Sequence, residues 1–158
     1  MEGIEKRLEA LGFRLPPIPK PQGSYVPAVR TGNLVFVSGQ LPMRDGQLVH
    51  KGKVGKDLDL EKAQDAARIC FLNILAALAS TGVHPDQVTR VIRLGGFVQC
   101  VDGFPEQPKV INGASDLCRA VFGEAGAHAR AAVGVNALPL DAAVEIEALF
   151  EVGGGPSA

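Results

Sequence analysis

The sequence contains few of the residues on which nucleic-acid-binding surfaces depend. Among its 158 residues there is no tryptophan and only one tyrosine, and 16 basic residues against 17 acidic ones give a formal net charge of −1. Surfaces that bind RNA usually combine a stripe of basic residues with aromatic rings on which bases stack. The composition therefore disfavours a nucleic acid as a partner of this protein.

Cysteine is also scarce. The three cysteines, Cys70, Cys100 and Cys118, are widely spaced and fit no disulfide or zinc pattern. Cys70 and Cys118 lie on the apolar faces of predicted helices, which indicates small core residues. The three histidines are equally scattered, and no metal-ligand spacing links them. We therefore expect no metal site.

Long hydrophobic runs are missing as well. No stretch of 18 apolar residues occurs, so we expect no membrane-spanning segment. The N-terminal stretch MEGIEKRLEALGF is charged and lacks the apolar centre of a secretion signal, which favours a cytoplasmic protein. The length and the 46% hydrophobic content are typical of one domain with a substantial core.

The chain is predicted to have three parts. Residues 1–21 should form a short helix and an extended proline-rich arm, and residues 22–152 one folded domain. Residues 153–158, GGGPSA, should form a flexible tail. Within the domain, residues 43–58 are a polar, glycine-bearing excursion that could hold a short ribbon at 47–50.

Hydrophobic periodicity predicts the order β-β-α-β-α-β-β within the domain. The elements are a hairpin of strands at 25–30 and 34–38, a helix at 59–80 with Asp59 as N-cap, a strand at 87–101, a helix at 108–122, and strands at 131–135 and 142–150. The last two strands are expected to form a second hairpin with its turn at 136–141. Gly95 and Gly96 are expected to bulge or bend the long strand.

This order of elements predicts an α+β fold, with two helices packed on one face of a mixed, mostly antiparallel sheet. No element is left to cover the opposite face, which also carries valine, isoleucine and phenylalanine. An exposed apolar sheet face is an association surface. We therefore expect a homo-oligomer.

Two charged residues stand out in the C-terminal stretch HARAAVGVNALPLDAAVEIEALF. Arg130 opens one strand, and Glu145 lies inside another that is otherwise mostly apolar. Because an unpaired buried charge is costly, these groups must face water, each other or a ligand. Arginine can hold a carboxylate through two parallel hydrogen bonds, and a buried glutamate suits acid–base chemistry. An ordinary surface salt bridge for Arg130 and an interface salt bridge for Glu145 are the alternatives.

Three stretches together resemble the RidA family, which is also called the YjgF, YER057c or UK114 family. They are YVPAVRTGNLVFVSGQLP, the VIN that opens the second long helix, and RAAVGVNALPLDAAVEIEAL. The resemblance covers about residues 22–150. It implies a chorismate-mutase-like fold, a homotrimer with three ligand clefts between its subunits, and no cofactor.

The resemblance also implies an activity. RidA enzymes hydrolyse reactive enamine and imine acids such as 2-aminoacrylate to a 2-keto acid and ammonia. A non-catalytic protein that binds or senses a small carboxylate in the same cleft is the alternative. Ribonuclease activity with inhibition of translation is a label that accompanies the family, and the net charge and the single tyrosine disfavour it here.

Site residues follow from the same resemblance. Arg130 corresponds to the arginine that grips the substrate carboxylate, and Glu145 to the glutamate that works with a water molecule. Ser38 and Gly39 correspond to the serine–glycine step that lines the cleft. We expect Ser38 to form hydrogen bonds with substrate or water and not to act as a nucleophile, because it lacks the surroundings of an activated serine. Its alternative role is to satisfy the backbone at a strand end.

Two further residues correspond to ligand contacts in the family. Tyr25 matches the tyrosine that closes over the ligand, and Asn112 the cleft asparagine at the head of the second long helix. Packing within a strand and hydrogen bonding within a first helical turn are their respective alternatives. The chain departs from the family pattern at His128, where a proline is common, and at Ala132, where a cysteine is common. These departures indicate a divergent branch.

Overall fold

The computed structural model describes residues 3–20 and 23–154. Within them the chain has the predicted α+β architecture, and none of its helices is both long and apolar enough to cross a membrane. Residues 1, 2, 21, 22 and 155–158 lie outside the described part, and with them the predicted start of the domain and most of the predicted tail. The elements are α1 Ile4–Ala10, β1 Ala28–Thr31, β2 Leu34–Gln40, β3 Met43–Arg44, β4 Gln47–Leu48, α2 Leu60–Ala79, β5 Val88–Gln99, α3 Gln107–Phe122, β6 Ala129–Val135 and β7 Val144–Val152.

Five strands form one sheet in the order β1-β2-β7-β5-β6, and β3 pairs with β4 in a small separate ribbon. Both long helices pack on the same face of the sheet, as expected. The sheet therefore has a helix-covered face and an open face. Along β7 the even-numbered residues are buried, and the odd-numbered ones are half-buried or exposed. The buried residues face the helices, and Glu145 and Glu147 therefore lie on the open face.

The predicted hairpin of the last two strands is wrong. β5 lies between β6 and β7, pairing in parallel with β6 and antiparallel with β7. The strands β5 and β6 are joined through α3, which is the usual crossover connection for parallel neighbours. The segment after β6 then crosses the end of β5. There the buried Gln99 side chain accepts from the Leu138 amide at 2.7 Å and donates to the Asp141 carboxylate at 2.8 Å.

The glycine pair does not bend β5. Gly95 and Gly96 keep continuous register with both neighbouring strands, and the irregular pairing lies earlier, within 88–93. Both positions need glycine for lack of space. A Cβ on Gly96 would lie 2.6 Å from the Ile111 side chain of α3, and one on Gly95 would lie 2.8 Å from the Glu147 carboxylate. Gly96 therefore lets α3 approach the sheet closely, whereas Gly95 leaves room for Glu147 on the open face.

A helix cap and a close helix–helix contact position the two long helices. The Asp59 carboxylate accepts from the Lys62 amide at 2.9 Å, so it caps α2 as predicted. Gly113 in α3 lies directly against the backbone carbonyl of Gln64 in α2, which leaves no room for a Cβ. The two helices consequently pack at close range, and this contact fixes where the first turns of α3 lie.

The cysteines are core residues. Cys70, Cys100 and Cys118 are all buried and free, and the core position predicted for Cys70 and Cys118 is confirmed. Burial raises the pKa of the Cys118 thiol to about 12. Burial, followed by the nearby charge of Glu145, raises the pKa of the Cys70 thiol well above its usual range. Both thiols therefore stay protonated at neutral pH, which makes them poor nucleophiles.

The N-terminal helix is part of the same core. Ile4 and Leu8 are buried, and the Arg7 guanidinium donates to the Val121 carbonyl of α3 at 2.6 Å. The helix begins where the Ile4 amide donates to the Asp86 carboxylate at 2.7 Å. Leu11, predicted to share this apolar face, lies beyond the helix end and is largely exposed. The proline-bearing stretch that follows has no helix or strand through residue 20.

Candidate functional site

The side chain of Arg130 lies at the edge of the sheet on its helix-covered side. It stands on the edge strand β6 opposite the buried Leu94 of β5. Its Nη1 donates to Asn112 Oδ1 at 2.7 Å and to Ser115 Oγ at 3.1 Å. The structure thus brings together two of the expected site residues, Arg130 and Asn112.

Two partners of the guanidinium come from one face of α3. Asn112 and Ser115 are three residues apart, so they are neighbours on the helix surface. The close packing of Gly113 on α2 turns that surface toward β6. Since Nη1 carries both contacts, and the described residues offer Nε and Nη2 no acceptor, the other edge of the Arg130 guanidinium is available to a carboxylate.

Sequence reasoning missed two residues beside Arg130. Ser115 Oγ lies 2.9 Å from His128 Nε2, and His128 Nδ1 lies 2.7 Å from the Gly126 carbonyl oxygen. The available signals were positional only, since Ser115 follows Asn112 by about one helical turn and His128 precedes Arg130 by two residues. We call Asn112, Ser115, His128 and Arg130 the arginine half-site.

Glu145 lies half-buried on the open face of β7. It makes no hydrogen bond or ion pair with any described residue, whereas its neighbour Glu147 pairs with Arg93 at 3.2 Å. Burial, and then the charge of Glu147, raise the pKa of the Glu145 carboxyl. An unpaired, partly desolvated carboxylate with a raised pKa is typical of acid–base groups.

Gly39 lies against the Glu145 carboxylate. Its position leaves no room for a Cβ, because such an atom would collide with Glu145 Oε1. The pairing of β2 with β7 is irregular between Val37 and Gln40, so the strand departs from regular pairing where it passes the carboxylate. Ser38 belongs to the same irregular step, and we call Ser38, Gly39 and Glu145 the glutamate half-site.

Ser38 ties the preceding segment to β2. Its Oγ donates to the Val26 carbonyl at 2.8 Å, and its amide donates to the Pro27 carbonyl at 2.9 Å. The first strand begins at Ala28, three residues later than predicted, because these contacts hold residues 25–27 outside the ladder. Tyr25 is consequently half-exposed next to the tied segment.

The two half-sites of one chain are far apart. Phe97 of β5 pairs with Glu145 of β7 on one side and with Val133 of β6 on the other. Arg130 therefore lies two strands away from Glu145 across the sheet, and three residues away along the strand direction. Strand geometry makes this separation about 14 Å, and the two side chains lie on opposite faces of the sheet. Because β5 separates the two strands that were predicted to pair, Arg130 and Glu145 of one chain do not face each other.

Two other features of the described residues bear on where the site lies. In residues 3–20 and 23–154, no three His, Cys, Asp or Glu side chains are grouped as metal ligands. A groove of about 770 Å³ lies between the proline-rich arm, the β3–β4 ribbon and α2, and none of the predicted site residues lines it. Each half-site is open to the surface of the single chain.

The geometry agrees with a known family. The family model described as "YjgF/chorismate_mutase-like, putative endoribonuclease" matches residues 5–152. The chain belongs to the YjgF family. This confirms the resemblance seen in the sequence and the chorismate-mutase-like fold expected from it.

Curated relatives in the YjgF family match over nearly the whole chain. Protein TCP17 of Trypanosoma cruzi is 43% identical over 150 residues, covering 94% of each chain. A 2-iminobutanoate/2-iminopropanoate deaminase of Dermatophagoides farinae is 31% identical over 139 residues, covering 87% of this chain and 92% of the relative. Proteins named as deaminases of reactive imines are thus among its relatives.

Solved structures of similar proteins show the same fold. Protein Atu1372 of Agrobacterium tumefaciens, of unknown function, superposes with a TM-score of 0.89 at 49% identity, covering 95% of this chain and 92% of that one. TdcF of Escherichia coli, crystallised with bound serine, gives a TM-score of 0.60 at 25% identity, with coverages of 97% and 100%. One neighbour in the YjgF family has therefore been seen with a small amino acid bound.

Proposed function

We propose that this protein hydrolyses imine and enamine forms of small 2-amino acids, such as 2-aminoacrylate, to a 2-keto acid and ammonia. The observation that carries the proposal is Glu145, a half-buried carboxylate without a partner in the described residues and with a raised pKa. Relatives named as deaminases of 2-imino acids and reactive intermediates support the reaction class.

The reacting groups come from different copies of the chain in this proposal. Arg130 and Glu145 of one chain lie on opposite faces of the sheet, so a small ligand reaches both only where two copies meet. When a contact of the arginine half-site of one copy with the glutamate half-site of the next repeats head-to-tail about a closing rotation axis, it forms a ring. From the family resemblance we propose a ring of three chains.

The open sheet face supports this assembly. Three large apolar side chains on the sheet are about half-exposed: Val29, Phe36 and Val133 are 53%, 47% and 46% accessible. Their burial between copies would supply the hydrophobic driving force for association. The cleft would then form at the rim of that contact, where the polar residues lie.

The chemistry needs a carboxylate grip and one acid–base group. The substrate carboxylate binds the Nε and Nη2 edge of Arg130, with Asn112 beside it. An enamine first gains a proton at its terminal carbon and becomes an iminium ion. Glu145 takes one proton from water as the water oxygen bonds to the iminium carbon, and gives that proton to the nitrogen. The carbon–nitrogen bond then breaks and ammonia departs. The remaining hydroxyl proton is released as the carbonyl forms, which balances the proton taken up at the start, so enamine and water yield a 2-keto acid and ammonia without a cofactor.

The remaining site residues bind and enclose the ligand. Ser38 already donates its hydroxyl proton to Val26, so its oxygen can still accept a hydrogen bond from substrate or water. Gly39 leaves space for the Glu145 carboxylate. Tyr25, exposed on the adjoining segment, would close over the bound acid.

The decisive assay generates the substrate in place. A cysteine or serine lyase releases 2-aminoacrylate continuously, and keto-acid formation is compared with and without the protein. We expect acceleration above spontaneous hydrolysis. Binding of 2-keto acids without any acceleration, tested also on larger imino acids, would instead identify a small-carboxylate binding or sensing protein.

A further inference from the structure

Three side chains form a continuous hydrogen-bonded relay that ends at the site arginine. His128 Nδ1 faces the Gly126 carbonyl at 2.7 Å, His128 Nε2 faces Ser115 Oγ at 2.9 Å, and Ser115 Oγ accepts from Arg130 Nη1 at 3.1 Å. The residues come from two elements, α3 and β6, together with the short turn between them. Nothing in the proposed reaction so far uses Ser115 or His128.

The Gly126 carbonyl and the Arg130 guanidinium fix the direction of the two outer hydrogen bonds in the relay. A carbonyl only accepts, so His128 Nδ1 must carry a proton. The oxygen of Ser115 already accepts from the guanidinium, and its single proton is free to point at His128 Nε2. In the arrangement that we infer, Ser115 donates this proton to Nε2, which is the acceptor of the Nδ1-protonated tautomer.

The relay determines which edge of the guanidinium is left for a ligand. A guanidinium has five N–H donors, two of them on Nη1. Asn112 Oδ1 and Ser115 Oγ accept from Nη1, so the ligand-binding pair is Nε with Nη2. Without the relay the exposed side chain could rotate and present either edge.

We propose that Ser115 and His128 are positioning residues, which hold Nη1 of Arg130 so that its Nε and Nη2 edge faces the carboxylate of the ligand. This inference rests on the proposed role of Arg130 as the carboxylate grip. A hydroxyl hydrogen-bonded to a histidine is also the geometry of an activated serine nucleophile. Ser115, however, is only 9% accessible, and its oxygen is occupied by the fixed end of the guanidinium.

A pair of variants at His128 tests the relay through binding. His128→Phe keeps a ring but removes both nitrogens, whereas His128→Gln can place an amide oxygen near the position of Nε2. With pyruvate as probe in calorimetry, we expect His128→Phe to weaken binding by about three- to tenfold, the usual effect of one hydrogen bond. His128→Gln should stay within about twofold of the wild type. Equal binding by all three proteins would overturn the proposal.

Ser115 provides the second comparison. Ser115→Ala removes the link, and Ser115→Thr keeps the hydroxyl. We expect Ser115→Ala to weaken pyruvate binding as His128→Phe does and to leave kcat nearly unchanged, with Ser115→Thr closer to the wild type. If Ser115→Ala instead abolished turnover while binding stayed intact, a covalent role for the serine would replace the positioning role.

A spectroscopic readout separates this inference from the function on which it rests. In ¹⁵N-labelled protein we expect His128 in the form protonated on Nδ1. The Nη1 and Nη2 signals of Arg130 should be distinct in the wild type and averaged in His128→Phe. A proton on Nε2, or identical Arg130 signals in both proteins, would refute the relay. Failure of the wild type to bind pyruvate, with these signals as expected, would refute only the carboxylate grip.

Discussion

At the scale of single residues, the position of Glu145 makes a sharp prediction. Glu145→Gln keeps the shape of the side chain but cannot exchange a proton at neutral pH. If Glu145 activates the attacking water, turnover should fall by about 10²- to 10⁴-fold, and pyruvate affinity should change little. Coupled measurement of keto-acid release and calorimetric binding checks both quantities.

The control lies on the same strand. Glu151→Gln removes one carboxylate from the same face of β7 at its far end, where Glu151 accepts from Thr89. We expect near-native turnover from this variant. An unaltered rate in Glu145→Gln as well would mean that the cleft binds ligands without using this carboxylate for chemistry.

The raised pKa of Glu145 also has a consequence for stability. Folding favours the protonated form of Glu145, so the ionised form lowers the free energy of unfolding. This loss is absent below the ordinary glutamate pKa, about 4, and grows as the pH rises through the raised pKa of the folded state. Glu145→Gln removes the cost. Its melting temperature should therefore exceed that of the wild type at pH 8, and the difference should shrink toward pH 4. A difference independent of pH would show that packing, not ionisation, is responsible.

At the scale of elements, local patterns were enough to locate the helices and strands but not to pair them. Helical periodicity and the cap at Asp59 placed α2 to within a residue or two, and its structure confirms them. Strand pairing depends on α3, which docks through Gly96 and Gly113 and carries the chain from β5 to β6. The alternation of apolar residues is the same whether the neighbouring strand is parallel or antiparallel, so the final hairpin was predicted wrongly.

The candidate site was predictable to a similar extent. The family resemblance pointed to Arg130 and Asn112, which the structure brings together. Ser115 and His128 were missed because their contact exists only after α3 has docked on β6. No motif in the sequence predicts that docking.

The docking of α3 on α2 can be tested at Gly113. Helix propensity alone predicts that Gly113→Ala stabilises the protein by about 1 kcal/mol. The Gln64 carbonyl occupies the space for the new methyl group, so we expect the opposite sign, a loss of about 1–3 kcal/mol. Urea unfolding measures the change, and Asp116→Ala, at an exposed position of α3, serves as control. Stabilisation by Gly113→Ala would show that the helices can separate at little cost.

At the scale of the whole molecule, the open sheet face predicts association between copies of the chain. We expect a trimer in solution, with a mass three times the 16.5 kDa of the chain, because Phe36 and its apolar neighbours need a partner surface. Light scattering at micromolar concentration measures it. Phe36→Asp places a charge in that contact and should shift the mass toward the monomer. A wild-type protein of 16.5 kDa would exclude the shared cleft.

A complementation experiment tests whether each cleft takes its two charged groups from different chains. Arg130→Ala and Glu145→Gln should each be inactive alone, because every cleft then lacks one group. When the two variants are unfolded together and refolded as a mixture, some clefts combine an intact Arg130 from one chain with an intact Glu145 from the next. Random assortment in a ring restores about a quarter of the clefts. Refolding each variant alone is the control. Recovery of imine hydrolysis only in the mixture would place the two groups of each cleft on different chains. If verified mixed trimers showed no activity, both groups would have to come from a single chain, which would contradict the separation of the half-sites.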